Sequence, residues 1–114
     1  MEIFGPNIKT IERSLDMRME NQRLIVSNIA NMDTPGYTAQ RLDFKASMEN
    51  ALAGIKEAAV VAPSTDPATS LDGNNVDLDY EMGQMGQNKI LYSVESQLLA
   101  AKFRQMTALL DAER

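Results

Sequence analysis

The carboxylates between Asp72 and Glu81 are the residues whose type and spacing could do chemistry. Acidic side chains at alternate positions can bind Ca²⁺ or act as general acid and base. An EF-hand loop also needs Gly at its sixth position and Glu at its twelfth. In the register that starts at Asp72 these positions hold Asp77 and Gly83, and the register that starts at Asn75 fails at the same two places. The spacing therefore predicts no metal site.

The 114-residue chain contains no histidine and no cysteine. It therefore has no imidazole base, no thiolate nucleophile, no disulfide and no zinc site of the ordinary type. An enzyme that uses carboxylates alone stays open, but it would need a shaped pocket, which a short helical chain has few ways to build. We predict no catalytic residue, no cofactor and no enzymatic function.

Composition narrows the class of partner. The chain has room for one domain, residues 1–114, and its apolar fraction of 44% and charged fraction of 24% are those of a folded protein. A net charge of −5 argues against nucleic acid as a partner, because phosphate binding needs clustered Lys and Arg. No apolar run approaches the ~20 residues that span a bilayer, residues 1–6 contain no visible secretory signal, and we expect no direct lipid binding.

Residues 7–31 are predicted to form an amino-terminal helix, because apolar side chains recur there at three- and four-residue steps. This stripe 1 consists of Ile8, Ile11, Leu15, Met19, Val26 and Ile29. Met17 and Leu24 fall on the far side of the helix, where we expect them to be exposed. A neighbouring acidic row, Glu12, Asp16 and Glu20, is either a solvated face or a face that meets a basic partner.

Residues 33–54 are expected to form a turn, an extended segment and a short helix. The helix covers 44–54, with Asp43 at its amino-terminal cap and Gly54 at its end. Residues 55–76 are expected to form a linker, since Pro, Ala, Thr and Ser offer little to bury there. A short strand over 58–62 would add a small β element.

Residues 77–112 are predicted to form a carboxy-terminal helix with two apolar faces. Stripe 2 consists of Leu78, Met82, Met85, Tyr92, Leu99, Phe103, Met106 and Leu110, and stripe 3 of Leu91, Val94, Leu98 and Leu109. One stripe can pair with the first helix as an antiparallel coiled coil. The other either stays exposed as an interaction surface or is covered by residues 44–54 in a three-helix core.

The predicted fold is therefore mostly α, an elongated antiparallel pair of long terminal helices with a short middle helix, an irregular loop and at most a small β element. At ~1.5 Å rise per residue the last helix alone would be about 50 Å long. That length exceeds the diameter of a 114-residue globule, so we expect an elongated molecule.

Between the two long helices, two loop motifs carry most of the local information. In the first, Ser-Asn-Ile-Ala-Asn-x-x-Thr-Pro-Gly-Tyr at 27–37, Pro35 and Gly36 fit the centre of a type II turn and Asn31 is placed to cap the helix end. In the second, Asp-Gly-Asn-Asn-Val-Asp-Leu-Asp-x-Glu-Met at 72–82, Gly and Asn favour a turn. Its acidic residues favour the start of a helix.

Both motifs, in this order, resemble those of the flagella basal body rod protein family, and the resemblance to its proximal rod subunits covers nearly the whole chain. Residues 55–71 match that family only in part. The resemblance implies a structural subunit that is exported unfolded through the flagellar type III apparatus and assembles as a helical tube across the periplasm, with paired terminal helices lining the tube.

The implied partners are other rod proteins, further copies of this chain, and the inner-membrane ring and export gate, reached through an adaptor protein. The alternative function is a small helical adaptor or regulator that binds one partner helix in an apolar groove, which leaves Thr-Pro-Gly-Tyr unexplained.

The site residues carried over from the resemblance are Asn28, Asn31, Thr34, Pro35, Gly36, Tyr37, Asp72, Gly73, Asn75, Val76, Asp77 and Asp79. Turn and cap chemistry explains these residues as well as direct subunit contact does. The apolar periodicity adds Leu91, Val94 and Leu98 of stripe 3 as an assembly surface.

Overall fold

A computed structural model describes residues 5–68 and 70–113 and confirms the predicted fold class. In chain order the elements are α1 (Gly5–Ala30), β1 (Gln40–Leu42), α2 (Phe44–Leu52), β2 (Val61–Pro63) and α3 (Leu78–Ala112). Residues 1–4, part of the segment in which no secretory signal was expected, lie outside the described residues. Thr69 of the expected linker also lies outside them. No helix in the described part of the chain is long and apolar enough to cross a membrane.

The two long helices run antiparallel and make the molecule elongated. Side chains of Ser14, Asn21 and Asn28 on α1 bond to side chains at steadily decreasing positions on α3. The molecule measures 68 × 26 × 16 Å, and its radius of gyration of 18.1 Å compares with about 13 Å for a compact domain of this length. The expected elongated shape is therefore observed.

A ladder of polar side chains joins α1 to α3. Its three rungs are hydrogen bonds from Ser14 to Glu95 (2.8 Å), from Asn21 to Asn88 (3.1 Å) and from Asn28 to Glu81 (3.2 Å). Neighbouring rungs lie seven residues apart on both helices, which is close to two helical turns, so all of them share one face of each helix. We call this set of residues the polar ladder.

The polar ladder changes the expectation that apolar stripes alone would join the two helices. Ile8 of stripe 1 is buried and Ile11, Leu15, Met85 and Leu99 are half-buried, so the stripes contribute beside the ladder. The helices pair as expected, but Glu81 and Asn88 are buried between them while Met19 of stripe 1 is 59% exposed and Met82 of stripe 2 is 56% exposed. The reason is that each rung residue has a hydrogen-bond partner on the opposite helix, and a buried polar group that lost its partner would be costly. Stripes 1 and 2 instead meet side by side, where Met19 and Tyr92 line one cleft of about 250 Å³.

A small apolar core forms on the other side of α1. Met17, Ala51 and Ala58 are buried together, and Leu42, Phe44, Met48 and Ala59 pack against them. The expectation that Met17 would be exposed was wrong, because α2 and the chain at 58–59 cover it, and Leu24 is half-buried. α2 packs on α1, and of stripe 3 only the half-buried Leu91 lies near it, in a cleft that Phe44 also lines. Val94 and Leu98 stay exposed, so α2 does not cover the stripe as the three-helix alternative requires.

The middle of the chain forms a strand–helix–strand unit. β1 and β2 are antiparallel with Arg41 opposite Ala62, and Ser64 N–H extends the pairing by donating to the Ala39 carbonyl (2.7 Å). The Asp43 carboxylate accepts from Ala46 N–H (3.0 Å) at the start of α2. The expected short strand lies at 61–63, slightly beyond the predicted 58–62, because its partner strand sets the register.

We predict that Met17→Ala lowers the free energy of unfolding by about 2 kcal/mol, since it leaves a cavity in the small core. The matched control is Met19→Ala, which removes the same atoms from an exposed site and is expected to change the free energy by less than about 0.5 kcal/mol. Urea denaturation monitored by helical circular dichroism measures both. Equal effects of the two substitutions would contradict the assigned core.

Candidate functional site

The first motif forms a helix end followed by a tight turn. The Asn31 side chain donates to the Ser27 carbonyl (2.8 Å) and accepts from the Thr34 hydroxyl (3.0 Å), so it caps α1 as expected. Tyr37 N–H then donates to the Thr34 carbonyl (3.2 Å) across Pro35 and Gly36. Gly36 has φ +72°, as the third residue of a type II turn requires.

Asn28 connects this corner to α3. Its carboxamide is completely buried and makes four hydrogen bonds. The oxygen accepts from the Tyr37 hydroxyl (3.0 Å) and from Gln40 N–H (2.9 Å), and the nitrogen donates to the Gln40 carbonyl (2.9 Å) and to Glu81 Oε1 (3.2 Å). One side chain therefore ties α1, the chain entering β1 and the first turns of α3 together.

Asn74 joins the second motif to the first. Its buried side chain donates to the carbonyls of Asn31 (2.9 Å) and Thr34 (2.8 Å), which also accept from the Thr34 and Tyr37 N–H groups, and its oxygen accepts from Val76 N–H (2.8 Å). Asn74 is not among the site residues predicted from the sequence. The available signal was its position beside Asn75 in a turn, which does not tell which of the two amides faces inward.

Asn75 fixes the loops around the small sheet. Its oxygen accepts from Ala39 N–H (2.7 Å), its amide donates to the Asp66 carbonyl (3.0 Å), and its backbone N–H donates to the Tyr37 carbonyl (3.3 Å). Residues that the sequence placed in an irregular linker are therefore held by a buried side chain.

The loop at 70–73 is a turn that lies against Gly36. Gly73 N–H donates to the Ser70 carbonyl (3.2 Å), and a Cβ atom on Gly73, whose φ is +87°, would lie 3.7 Å from the Gly36 Cα. Hydrogen bonds from the Ser70 hydroxyl and from Asn74 N–H hold the pKa of the Asp72 carboxyl below its usual value. The turn thus keeps the tips of both motifs in contact and leaves Leu71 fully exposed.

Glu81 and Arg41 form the charged centre of this junction, and neither is among the site residues predicted from the sequence. Glu81 is completely buried; its Oε1 accepts from Arg41 and from Asn28, and its Oε2 has no hydrogen-bond partner among the described residues. The Arg41 guanidinium also lies over the Tyr80 ring, 4.5 Å from its centroid. The only sequence signal was the acidic start of α3, which predicts a favourable helix dipole and not burial.

The structure thus brings most of the predicted site residues to one place, which we call the motif junction. It contains Asn28, Asn31, Thr34, Pro35, Gly36 and Tyr37 together with Asp72, Gly73, Asn75 and Val76. Asp77 caps α3 by accepting from Tyr80 N–H (3.2 Å), and Asp79 is exposed on the same turn. Leu91, Val94 and Leu98 lie farther along α3, outside the junction.

The chemistry of the motif junction is that of a structural corner. Its amide side chains bond to backbone groups and to the side chains of Thr34, Tyr37 and Glu81, which fixes the direction in which the chain leaves α1 and enters α3. Within residues 5–68 and 70–113 no group of three or more Asp and Glu side chains is placed to hold a metal ion. The hydrogen bonds of these residues hold the shape of this corner of the fold.

We predict that Asn28→Asp destabilises the fold by about 3 kcal/mol, because it replaces a donor to the Glu81 carboxylate by a second buried negative charge. Adding Glu81→Gln restores a donor–acceptor pair and should recover more than half of this loss. A double-mutant cycle measured by urea denaturation tests the coupling. Additive effects of the two substitutions would show that the side chains do not interact.

We also predict opposite effects of alanine at two glycines. Gly36→Ala is expected to destabilise by about 1 kcal/mol, since φ +72° strains a residue that carries a Cβ. Gly83→Ala is expected to stabilise by about 1 kcal/mol, because this glycine lies inside α3 with open space around its Cα. Thermal unfolding of both variants gives the sign of each change in stability. A stabilising effect of Gly36→Ala would contradict the assigned turn.

Comparison with known proteins gives the same family for the motif and for the whole chain. The family model described as "Flagella basal body rod protein" matches residues 21–38, which contain the first motif. Flagellar basal body rod protein FlgB of Bacillus subtilis is 31% identical over 96% of this chain and 97% of its own length. FlgB of Borrelia hermsii is 33% identical over 93% and 96%, and FlgB of Escherichia coli 27% identical over 89% and 90%. From this similarity over nearly its full length, the chain belongs to the flagella basal body rod protein family.

Proposed function

We propose that this chain, a structural subunit of the bacterial flagellar basal-body rod, assembles helically with other rod proteins, transmits torque and forms part of the export-channel wall near the inner-membrane ring. The observation that carries the proposal is the amount of apolar surface that the fold leaves uncovered. Assembly of this kind requires every copy to offer contact surfaces on more than one side.

The exposed surface is larger than that of a compact monomer. A protein of 12.6 kDa is expected to expose about 6,200 Å², whereas this chain exposes 7601 Å². The excess of about 1,400 Å² is comparable to the total area that a specific protein interface buries. A fold with this excess is suited to association with neighbouring subunits.

Among the described residues, most of the large apolar side chains that are exposed lie on α3. The exposed ones in this helix are Leu78, Tyr80, Met82, Ile90, Tyr92, Val94, Leu98, Phe103, Leu109 and Leu110. They occur on more than one side of the helix, and monomeric proteins rarely leave such contiguous apolar surface in contact with water. Neighbouring subunits in an assembly would cover them.

We further propose the individual partners of this chain in the rod, which are those that the family resemblance implies. We assign the apolar faces of α3 to contacts with other rod proteins and with further copies of this chain. The rod-to-ring adaptor, the inner-membrane ring and the export gate are proposed as the neighbours at the membrane end of the rod. Export in an unfolded state through the type III apparatus suits a chain without disulfides whose apolar core is small, since little burial is lost on unfolding.

The alternative function, an adaptor that binds a single partner helix, is not favoured, because both motifs and most of the chain match rod proteins. We propose no enzymatic function. The buried polar side chains of the motif junction bond to backbone groups and to one another, and the relatives are named as rod proteins.

We predict that Leu98→Glu abolishes motility, because it places a charge on a surface that assembly must desolvate. Leu98 is 47% exposed in the single chain, so the unfolding free energy should change by less than about 0.5 kcal/mol. Gln97→Glu, which adds the same charge one residue away, is the matched control and should leave motility intact. Wild-type swimming by the Leu98→Glu strain would overturn the assignment of stripe 3 to assembly.

A further inference from the structure

The exposed apolar side chains form two surfaces of different shape on opposite sides of α3. The first is a groove between the long helices. Met19 of α1 and Tyr92 of α3 line its cleft. Val26 and Met85 lie seven residues from them along the same two helix faces. Met19 is 59% exposed and Val26 49% exposed, and the cleft between Met19 and Tyr92 is about 250 Å³.

The second surface is a ridge on α3 formed by Val94 and Leu98, with the half-buried Leu91 at its edge, where it also lines a cleft with Phe44. At ~100° per residue this ridge lies about 140° around the helix from Met85. Val94 is 56% exposed, and the ridge has no second helix beside it at Val94 and Leu98. It is therefore convex where the groove is concave.

The ridge belongs to a segment that offers no charge to a partner. Residues 90–101 contain one charged side chain, Glu95. Glu95 lies in the polar ladder, where it accepts hydrogen bonds from Ser14 (2.8 Å) and Arg18 (3.3 Å). The core of a protein interface is depleted of charged residues, because their desolvation is costly.

The groove can accommodate a helix that presents this uncharged ridge without burying an unpaired charge. Its cleft is lined by Arg18, Gln22, Asn88 and Lys89 besides the apolar residues. Arg18 is bonded to Glu95, and Asn88 to Gln22 (3.0 Å) and Asn21 (3.1 Å), so these polar groups are already paired. Lys89 is exposed at the rim, where its ammonium can stay in water.

We propose that the ridge of one copy packs into the groove of a second copy. This inference rests on the proposed function and specifies which surfaces meet. A standard interface removes about 800 Å² from each partner, so a chain that uses two different patches loses about 1,600 Å². The chain exposes about 1,400 Å² more than a compact monomer of its mass, which is close to this total. Because the two patches differ and point in different directions, the contact is heterologous and adds copies in a series.

The chain has no native cysteine, so paired cysteines report this contact directly. Met19→Cys combined with Val94→Cys, treated with a short bismaleimide in purified basal bodies and in concentrated full-length protein, should give covalent dimers, trimers and longer species. Each single variant should give no cross-linked species, because the surface that meets its thiol then carries no thiol of its own. The matched control, Met19→Cys with Ser93→Cys, moves the second thiol off the ridge. It should give about tenfold less of the trimer and longer products, because the reacting groups are no longer held together.

Three outcomes would overturn the pairing. Dimers formed by Met19→Cys alone would indicate a two-fold contact of groove with groove. Cross-links only to a different rod component would assign the groove to that protein. The third outcome is the absence of trimers and longer species while Met19→Cys with Tyr92→Cys, which line one cleft, cross-links within the chain. If that absence accompanies loss of motility in the Leu98→Glu strain, the proposed function stands and only the pairing fails.

Discussion

The polar ladder between α1 and α3 is the interaction on which the rest of the structure depends. Its rungs repeat every seven residues on both helices, so a shift by one repeat would still place Asn28 opposite Asn88 and Asn21 opposite Glu95. The motif junction removes this ambiguity. Glu81 also binds Arg41, and Asn28 also binds Tyr37 and Gln40, so both side chains keep their partners in one register only. Breaking such a buried pair leaves a polar group without a partner.

A polar contact between the helices has a direct consequence for the surface. Residues of the ladder occupy the faces that an ordinary helix pair would fill with Leu and Ile, and several apolar residues of both helices are left on the outside. The small core around Met17 stabilises α2 against α1 but does not reach the far part of α3. The fold therefore combines a specific internal register with apolar surface that is available to neighbouring subunits.

The motif junction explains why the two motifs occur together in one chain. The family match at residues 21–38 covers the middle and last rungs on α1, the turn at Pro35 and Gly36, and Tyr37. The second motif supplies the amide that caps that corner, through Asn74, and the carboxylate that meets Asn28, through Glu81. Together they set the angle at which a long helix ends and the direction in which the next long helix begins, which determines where the exposed faces point.

Local features of this fold were determined by the sequence itself. The turn at Pro35 and Gly36, the caps at Asp43 and Asp77 and the extent of the long helices follow from backbone preferences of nearby residues. Which faces of α1 and α3 meet was decided only by the tertiary structure. Apolar stripes and polar rungs have nearly the same helical period, and the rungs become favourable only when their partners, 53 to 81 residues away, are in place. For the same reason the burial of Met17, Asn74 and Glu81 could not be predicted, since residues distant in the chain cover them.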